Sequence, residues 1–419
     1  MKRYHSFDDR ELNPETLALG YGYDPKLSEG SVKPPIFLTS TFQFETAEEG
    51  KRFFELAYGL RKRNLGESQG LIYSRLNNPN LQIFEERMAA WDRTECGAVF
   101  ASGMAAISTT LLTLLKPGDQ MISSMPIYGG THYLFEHILP RFGIEVFCVP
   151  AGNDTPQQMN KIAKQHQNVR ILYLETPANP SNVMIDIAAV SAVAKELSHA
   201  DKPVYTIVDN TFLGPVFQRP ALQGADLVIY SATKFIGGHS DLIAGLVTGP
   251  NHLMEQLMVI RTILGTVAPP FSGWLLLRSL ETLSVRMRQQ AKTAQKVAQL
   301  LADHPRVKQV NYPELMQDRD AQQYEIYKKQ CTGPGSLISF EIDGGEAEAF
   351  RALNRCEVIR LAVSLGGTES LIEHPMSMTH SDIPPEQLQL YGVMPGTIRM
   401  SVGLEHYSDL KRDLLHSLE

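Results

Sequence analysis

From about residue 80 to residue 231 the chain alternates short apolar, β-branched runs with stretches of helical spacing, and this alternation constrains the fold more than any other feature. Strands are expected at 97–100, 120–123, 145–149, 170–174, 204–208 and 226–230, and helices at 81–91, 104–115, 155–165 and 187–197. Such alternation builds a mostly parallel central sheet with helices on both faces, an α/β architecture. A ligand then lies beyond the carboxyl ends of the strands. A long helical run over 271–302 leaves this unit. Beyond it, strands at 337–342, 359–364 and 397–402 and helices at 346–355 and 407–417 describe a smaller α+β C-terminal domain. Residues 1–77 read as an irregular extension with a strand-like piece at 36–38, a helix at 47–58 and an exposed polar loop at 61–70. The expected divisions are therefore 1–77, 78–285 and 286–419.

Length and composition agree with that division. A chain of 419 residues exceeds the usual single-core size. Its 43% hydrophobic and 20% charged residues supply a large core without a bias toward disorder. The net charge of −7 and the lack of a long Lys/Arg run leave no nucleic-acid patch, and the short cluster Arg61, Lys62 and Arg63 reads as a solvated loop. No apolar run reaches the length of a membrane span. Cys96, Cys148, Cys331 and Cys356 are scattered, with neither zinc spacing nor a disulfide framework, so no metal is expected and a reducing compartment is. Two early cations without an apolar stretch behind them make the cytoplasm the expected address.

The sharpest local feature is Tyr230-Ser231-Ala232-Thr233-Lys234, followed by Gly237-Gly238-His239-Ser240-Asp241. A lysine directly after a buried strand can be desolvated, which lowers its pKa and frees the amine to attack a carbonyl. Ser231 and Thr233 beside it suit a phosphate. Taken alone, the motif also fits a surface lysine at a strand exit. Upstream, Asp209 closes the apolar run Thr206-Ile207-Val208, with Thr211 two residues on. A buried acid needs a cationic partner, such as a protonated ring nitrogen, although Asp209 also suits a helix N-cap.

Three further βα turns join them. Ser102-Gly103-Met104 follows a strand and opens a helix, an arrangement whose free N–H groups favour an anion. Tyr128, in Pro126-Ile127-Tyr128-Gly129-Gly130-Thr131, offers an aromatic face to a cofactor ring, or a core tyrosine. Asn179 follows a strand and can reach a ring oxygen, or can make a simple Asn-Pro turn. Near the C-terminus Arg399 sits mid-strand in an apolar setting, where its partner is a carboxylate, whether a ligand's or a structural one.

These residues resemble a known family, the Cys/Met-metabolism (trans-sulfuration) enzymes that use pyridoxal phosphate (PLP). The resemblance runs from about Lys33 to the C-terminus and is carried by YSR-(x)2-NP from Tyr73, ASGMAA from Ala101, VDNTF from Val208, SATK-(x)2-GGHSD from Ser231 and SVGLE from Ser401. It implies a fold-type-I PLP-dependent transferase acting on a small amino-acid substrate, usually as a homotetramer built from two tight dimers. Lys234 would form the Schiff base with the cofactor and shuttle protons, and Tyr128 would stack on the ring and serve as the acid for a leaving thiol. Tyr73 and Arg75 would reach the cofactor phosphate of the neighbouring subunit. Ser102, Gly103, Met104, Ser231 and Thr233 would hold the phosphate within the chain, with Asn179 and Thr211 also at the cofactor. Asp209 would pair the ring nitrogen, and Arg399 with Ser364 would bind the substrate carboxylate.

Within the family, two signals point to different reactions. Val363 stands where many cystathionine-processing members have glutamate, which suits an uncharged thioether such as methionine. Gly130 stands where typical methionine γ-lyases have cysteine, giving the form found in cystathionine enzymes. The stretch over 50–70 also departs from the common pattern. The expectation is a carbon–sulfur lyase performing α,γ-elimination on methionine or a related thioether. The alternatives are a cystathionine γ-lyase, and a cystathionine γ-synthase or homoserine-ester γ-replacement enzyme.

Overall fold

Ile171 and Tyr173 point to one side of a strand while Leu172 and Leu174 point to the other, and all four are fully buried. A strand apolar on both faces belongs between two layers of helices. The structure, a computed structural model, describes residues 6–7, 10–62, 64, 67 and 70–419. A short hairpin comes first, β1 (Ser6–Phe7) with β2 (Arg10–Glu11). The central sheet takes β3 (Cys96–Phe100), β4 (Gln120–Met125), β5 (Glu145–Pro150), β6 (Val169–Glu175), β7 (Tyr205–Asp209), β8 (Leu227–Ser231) and β9 (Gly245–Gly249). Their lateral order is β3-β9-β8-β7-β6-β4-β5. Only β9 runs against the rest, antiparallel to β3 and β8. Its apolar stretch is short and set between glycines, which hides it from a pattern reading.

Ile171, Tyr173, Ile207, Ile229 and Val247 meet helices Gly103–Leu114 and Asn251–Leu264 through Ile107, Leu111, Leu253 and Leu257. On the opposite face Ile122, Leu172, Leu174 and Val208 meet helices Thr155–Ala163 and Ile187–Leu197 through Met159, Ile187 and Val190. Each such side chain contributes about 1.5–3 kcal/mol by leaving water. The long run over 271–302 is two helices, Pro270–Leu280 and Leu283–Ala302. At the break the Ser279 carbonyl accepts from the buried Arg286 guanidinium at 3.0 Å.

A second sheet combines β10 (Val307–Asn311), β11 (Leu337–Ile342), β12 (Arg360–Leu361), β13 (Leu371–Glu373) and β14 (Thr397–Ser401), in the order β10-β11-β14-β13-β12. Ile338, Phe340, Ile398 and Met400 pack against Val297, Leu301, Leu410 and Leu414 of the covering helices. The strand expected at 359–364 shrinks to β12, because the backbone leaves the extended region and Ser364 turns to φ +97°.

The extension also corrects the sequence reading. No strand forms at 36–38; the Phe37 N–H donates to Asn80 Oδ1 at 2.8 Å, and its carbonyl accepts from Asn78 Nδ2 at 2.9 Å. Side chains therefore replace a ladder there. The helix expected at 47–58 is Ala47–Ala57, capped by Thr46 Oγ1 on the Glu49 N–H at 3.1 Å. An unforeseen helix, Pro14–Gly20, is tied down by Arg87, which donates to the Ala18 and Tyr21 carbonyls at 2.6 and 2.9 Å. In the basic cluster Arg61 pairs with Glu67 at 2.5 Å, Lys62 is exposed, and Arg63 lies outside the described residues. Among the described residues no helix is long and apolar enough to cross a membrane.

Candidate active site

The candidate residues gather at the carboxyl ends of the parallel strands. Ser102 follows β3, Tyr128 follows β4, Asn179 follows β6, Asp209 ends β7 and Lys234 lies three residues past β8. The second sheet approaches this edge with Ser364 and, from β14, Arg399.

Lys234 donates from Nζ to Ser364 Oγ at 2.7 Å. Burial, and then the charge of Arg399, pull its pKa down to about 8, with Glu373 opposing. Its loop is held by the Thr233 hydroxyl, which donates to the Ala244 carbonyl at 3.2 Å and accepts from the Ala244 N–H at 3.0 Å. Arg286 grips the same loop from below, donating to the Phe235 carbonyl at 2.8 Å.

Asp209 accepts from the Thr211 N–H at 3.0 Å and from the Thr211 hydroxyl at 2.6 Å, both on Oδ1. Thr211 Oγ1 in turn accepts from the Ser231 N–H at 2.9 Å, which stitches the ends of β7 and β8 together. Burial pushes the Asp209 carboxyl up to about 6 despite these bonds. Beside it, Glu175 accepts the Tyr128 N–H on Oε2 at 2.8 Å. Burial and then Asp209 hold Glu175 well above the usual carboxylate range.

The Tyr128 ring leans over Gly130: a Cβ there would lie 2.6 Å from Tyr128 Cε1 and 3.4 Å from Met104 Sδ. Ser102 caps its own helix, with Oγ accepting the Ala105 N–H at 3.0 Å. Gly103 lets that helix end approach β8, since a Cβ would lie 2.9 Å from the Ser231 Cβ. The result is a helix N-terminus facing Ser231, an arrangement that favours an anion.

Arg399 is buried and fully engaged on one side. It donates to Asn179 Oδ1 at 2.9 Å, to the Ser364 carbonyl at 3.1 Å and to Glu373 Oε1 at 2.6 Å. The setting that reads as apolar in sequence thus holds a structural acid, because Glu373 on β13 is the cross-strand partner of Arg399 on β14. Asn179 accepts the guanidinium on Oδ1, which leaves its amide NH2 as the end able to donate to a ring oxygen. Tyr73 and Arg75 are not drawn into this cluster within the chain. Tyr73 is exposed, and Arg75 donates to the Thr262 carbonyl at 2.8 Å.

Sequence reasoning assigned no site role to Glu175, Glu373, Thr379 or His380. Glu175 had a usable signal, since it closes an apolar strand as Asp209 does. Glu373 and His380 carry no such mark, because the contacts that matter come from distant segments. Among the described residues no group of three His, Cys, Asp or Glu is arranged to hold a metal ion.

A family profile described as Cys/Met metabolism PLP-dependent enzyme matches residues 15–419. The chain is 39% identical to the L-methionine gamma-lyase of Pseudomonas deceptionensis over 406 residues, covering 96% of each. It is 41% identical to the L-methionine gamma-lyase of Fusobacterium nucleatum subsp. nucleatum over 392 residues, covering 93% of this chain and 94% of that one. Its fold matches cystathionine gamma synthase from Xanthomonas oryzae pv. oryzae in complex with cystathionine, with a TM-score of 0.86 and 33% identity over 98% of each chain. The donor set fits the cofactor in that description. A desolvated amine suits an aldehyde, a buried acid with no cation beside it among the described residues suits a protonated ring nitrogen, and a helix N-terminus beside hydroxyl groups suits a phosphate.

Proposed function

Because the chain belongs to the Cys/Met-metabolism PLP-dependent enzymes, we propose that it is a carbon–sulfur lyase that eliminates a thiol from L-methionine or a related thioether, releasing 2-oxobutanoate and ammonia. The observation that carries this reading is the pairing of a desolvated Lys234 with a buried Asp209 at the ends of adjacent parallel strands, with Arg399 opposite. Bound pyridoxal phosphate supplies a ring that accepts the electron pair released at the substrate α-carbon.

The chain's own residues do the rest. Asp209 holds the cationic ring nitrogen, and Thr211 keeps its carboxylate aimed. Ser102, Gly103, Met104, Ser231 and Thr233 hold the phosphate, joined by Tyr73 and Arg75 of a neighbouring copy. Asn179 contributes its amide N–H. Arg399 and Ser364 orient the substrate carboxylate. Lys234, its pKa pulled down to about 8, would take the α-proton, hand it on, and then take a proton from the β-carbon, so that the electron pair left there expels the sulfur from the γ-carbon. Tyr128, partly exposed at the rim, gives a proton to the leaving sulfur.

Val363 supports methionine: it is apolar and half exposed at the rim, next to Ser364. A second reading, cystathionine cleavage or γ-replacement on a homoserine ester, draws on Gly130, where the Tyr128 ring occupies the place of a side chain. The division into 1–77, 78–285 and 286–419 fits this assignment, with the extension reaching a neighbouring subunit of a homotetramer. Four free cysteines fit a cytoplasmic enzyme. A product assay on PLP-loaded protein decides between the readings. Methanethiol, ammonia and 2-oxobutanoate from methionine support the proposal. Turnover only of cystathionine, or of O-acetylhomoserine with sulfide, overturns the methionine assignment.

A further inference from the structure

Glu373 and Arg399 face each other across the antiparallel strands β13 and β14 as register partners. Both are buried, and Glu373 Oε1 lies 2.6 Å from Arg399 Nη2. The Thr379 hydroxyl donates to the same oxygen at 3.0 Å, while Glu373 Oε2 is buried without a hydrogen-bond partner. The negative charge of Glu373 is therefore met mainly by the guanidinium. From there the contacts continue to the lysine. Arg399 Nη2 donates to the Ser364 carbonyl at 3.1 Å, and Lys234 Nζ donates to Ser364 Oγ at 2.7 Å. Arg399 thus links a buried acid to the buried amine.

The charged groups around this trio agree in sign. Burial and then Arg399 lower Lys234, and Glu373 raises it. Burial raises Glu373, while Arg399, the Thr379 hydrogen bond, Lys234 and His374 lower it. Burial lowers Arg399, and Glu373 opposes this most, ahead of Glu175 and Tyr128. Glu175 is held protonated by burial and then Asp209. His380 is neutral, since burial and then Arg399 lower it to about 4 against the Ile127 and Asn179 carbonyls and Asp382. Among the described residues, Glu373 is thus the anion that answers Arg399. A buried ion pair gains little stability over a well-packed apolar pair. What this one does have is a second cation, Lys234, within reach of its charge.

We infer that Glu373 is a charge counterweight to Arg399, limiting both the grip of the site on a carboxylate and the effect of the guanidinium on Lys234. This rests on the reading of Arg399 as the carboxylate-binding residue. A bare guanidinium in a buried site would hold substrate and carboxylate product alike more firmly, and would drive the proton from the Lys234 nitrogen. Glu373 acts through Arg399 and is a positioning residue.

The test is Glu373→Gln in PLP-loaded enzyme, which keeps an acceptor for Thr379 and removes the charge. Calorimetry gives the affinity for 4-(methylsulfanyl)butanoate, methionine without its amino group. Visible absorbance against pH follows the Lys234 nitrogen through its link to the cofactor. The variant is expected to bind the probe about tenfold more tightly, with the absorbance midpoint lower by about one pH unit. A Glu373 that only shapes Arg399 gives the opposite, weaker binding and an unmoved midpoint, and that result overturns the counterweight. Glu373→Asp keeps the charge and is expected to stay within about threefold of wild type in affinity, with the midpoint in place. An aspartate variant that behaves like the glutamine variant also overturns it. Should the glutamine variant not fold, wild type is compared on the probe and on its neutral amide. The offset guanidinium is expected to favour the carboxylate by less than about thirtyfold, and a larger preference overturns the counterweight. Unchanged probe binding in Arg399→Gln overturns the carboxylate reading, and the counterweight with it. Lost binding in Arg399→Gln beside unchanged binding in Glu373→Gln overturns the counterweight alone.

Discussion

Glu175 and Asp209 are register partners at the carboxyl ends of β6 and β7, two buried acids side by side. Like charges so placed do not both ionise. Glu175 is pushed well above the usual range and Asp209 only to about 6, so a cation at the site ionises Asp209 first. Glu175→Gln keeps an acceptor for the Tyr128 N–H, and cofactor affinity is expected to stay within about threefold of wild type. Asp209→Asn loses a buried ion pair and about a hundredfold in affinity. Fluorescence titration of stripped protein with pyridoxal phosphate measures both. Equal losses in the two variants would give the charge to Glu175 instead.

Lys234 links the site to stability. With a folded pKa of about 8 against an ordinary value of 10.5, the unfolded chain binds the extra proton between those two pH values. The stability of the cofactor-free protein therefore rises with pH across that window, and the cost of the buried amine is complete below it. Lys234→Met removes the slope and stabilises the stripped protein at neutral pH by on the order of 2 kcal/mol. It also abolishes turnover and covalent capture of the cofactor by borohydride. Urea melts at two pH values and intact mass after reduction read these effects; retained turnover would falsify the assignment of Lys234.

Gly130→Cys puts a Cβ within 2.6 Å of the Tyr128 ring. The ring must shift, and the ratio of methionine to cystathionine turnover is expected to change about tenfold, on the scale of 1–2 kcal/mol for a displaced acid. Steady-state product assays on both substrates measure it. An unchanged ratio would show that position 130 does not select the leaving group.

Arg286 holds the loop behind Lys234 through the Phe235 and Ser279 carbonyls, and burial lowers its own pKa to about 10. Arg286→Leu leaves these carbonyls unpaired and should cost about 2–4 kcal/mol. Gly238, at φ +69° with the Arg286 guanidinium where a Cβ would stand, should tolerate alanine no better. Chemical denaturation of each variant provides the comparison. Wild-type stability in Arg286→Leu would remove the clamp from the account.

Within the chain Arg75 donates to the Thr262 carbonyl and lies over the Tyr73 ring at 5.9 Å, and its proposed site lies on a neighbouring copy. Arg75→Gln and Lys234→Ala should each be inactive alone. Mixed and reassembled, they are expected to recover about a quarter of wild-type activity, because some sites then carry both native residues. No recovery in verified hybrid oligomers contradicts a shared site.

Local sequence was enough to determine the strand–helix alternation and the strand ends that bear Ser102, Tyr128, Asn179, Asp209 and Lys234, because periodicity and a polar residue closing an apolar run are one-dimensional signals. It also determined the family, through motifs that are themselves contiguous. Tertiary structure alone decided what Arg399 touches. Its partners, Glu373, Asn179 and Ser364, come from β13, from the turn after β6 and from a residue bent to φ +97°, and nothing in their local sequence marks that convergence. The same holds for the missing strand at 36–38, where asparagine side chains some forty residues away took the backbone hydrogen bonds. Hydrogen bonding and charge pairing are satisfied by whatever the fold brings near, so the protonation states of this site belong to the assembled structure.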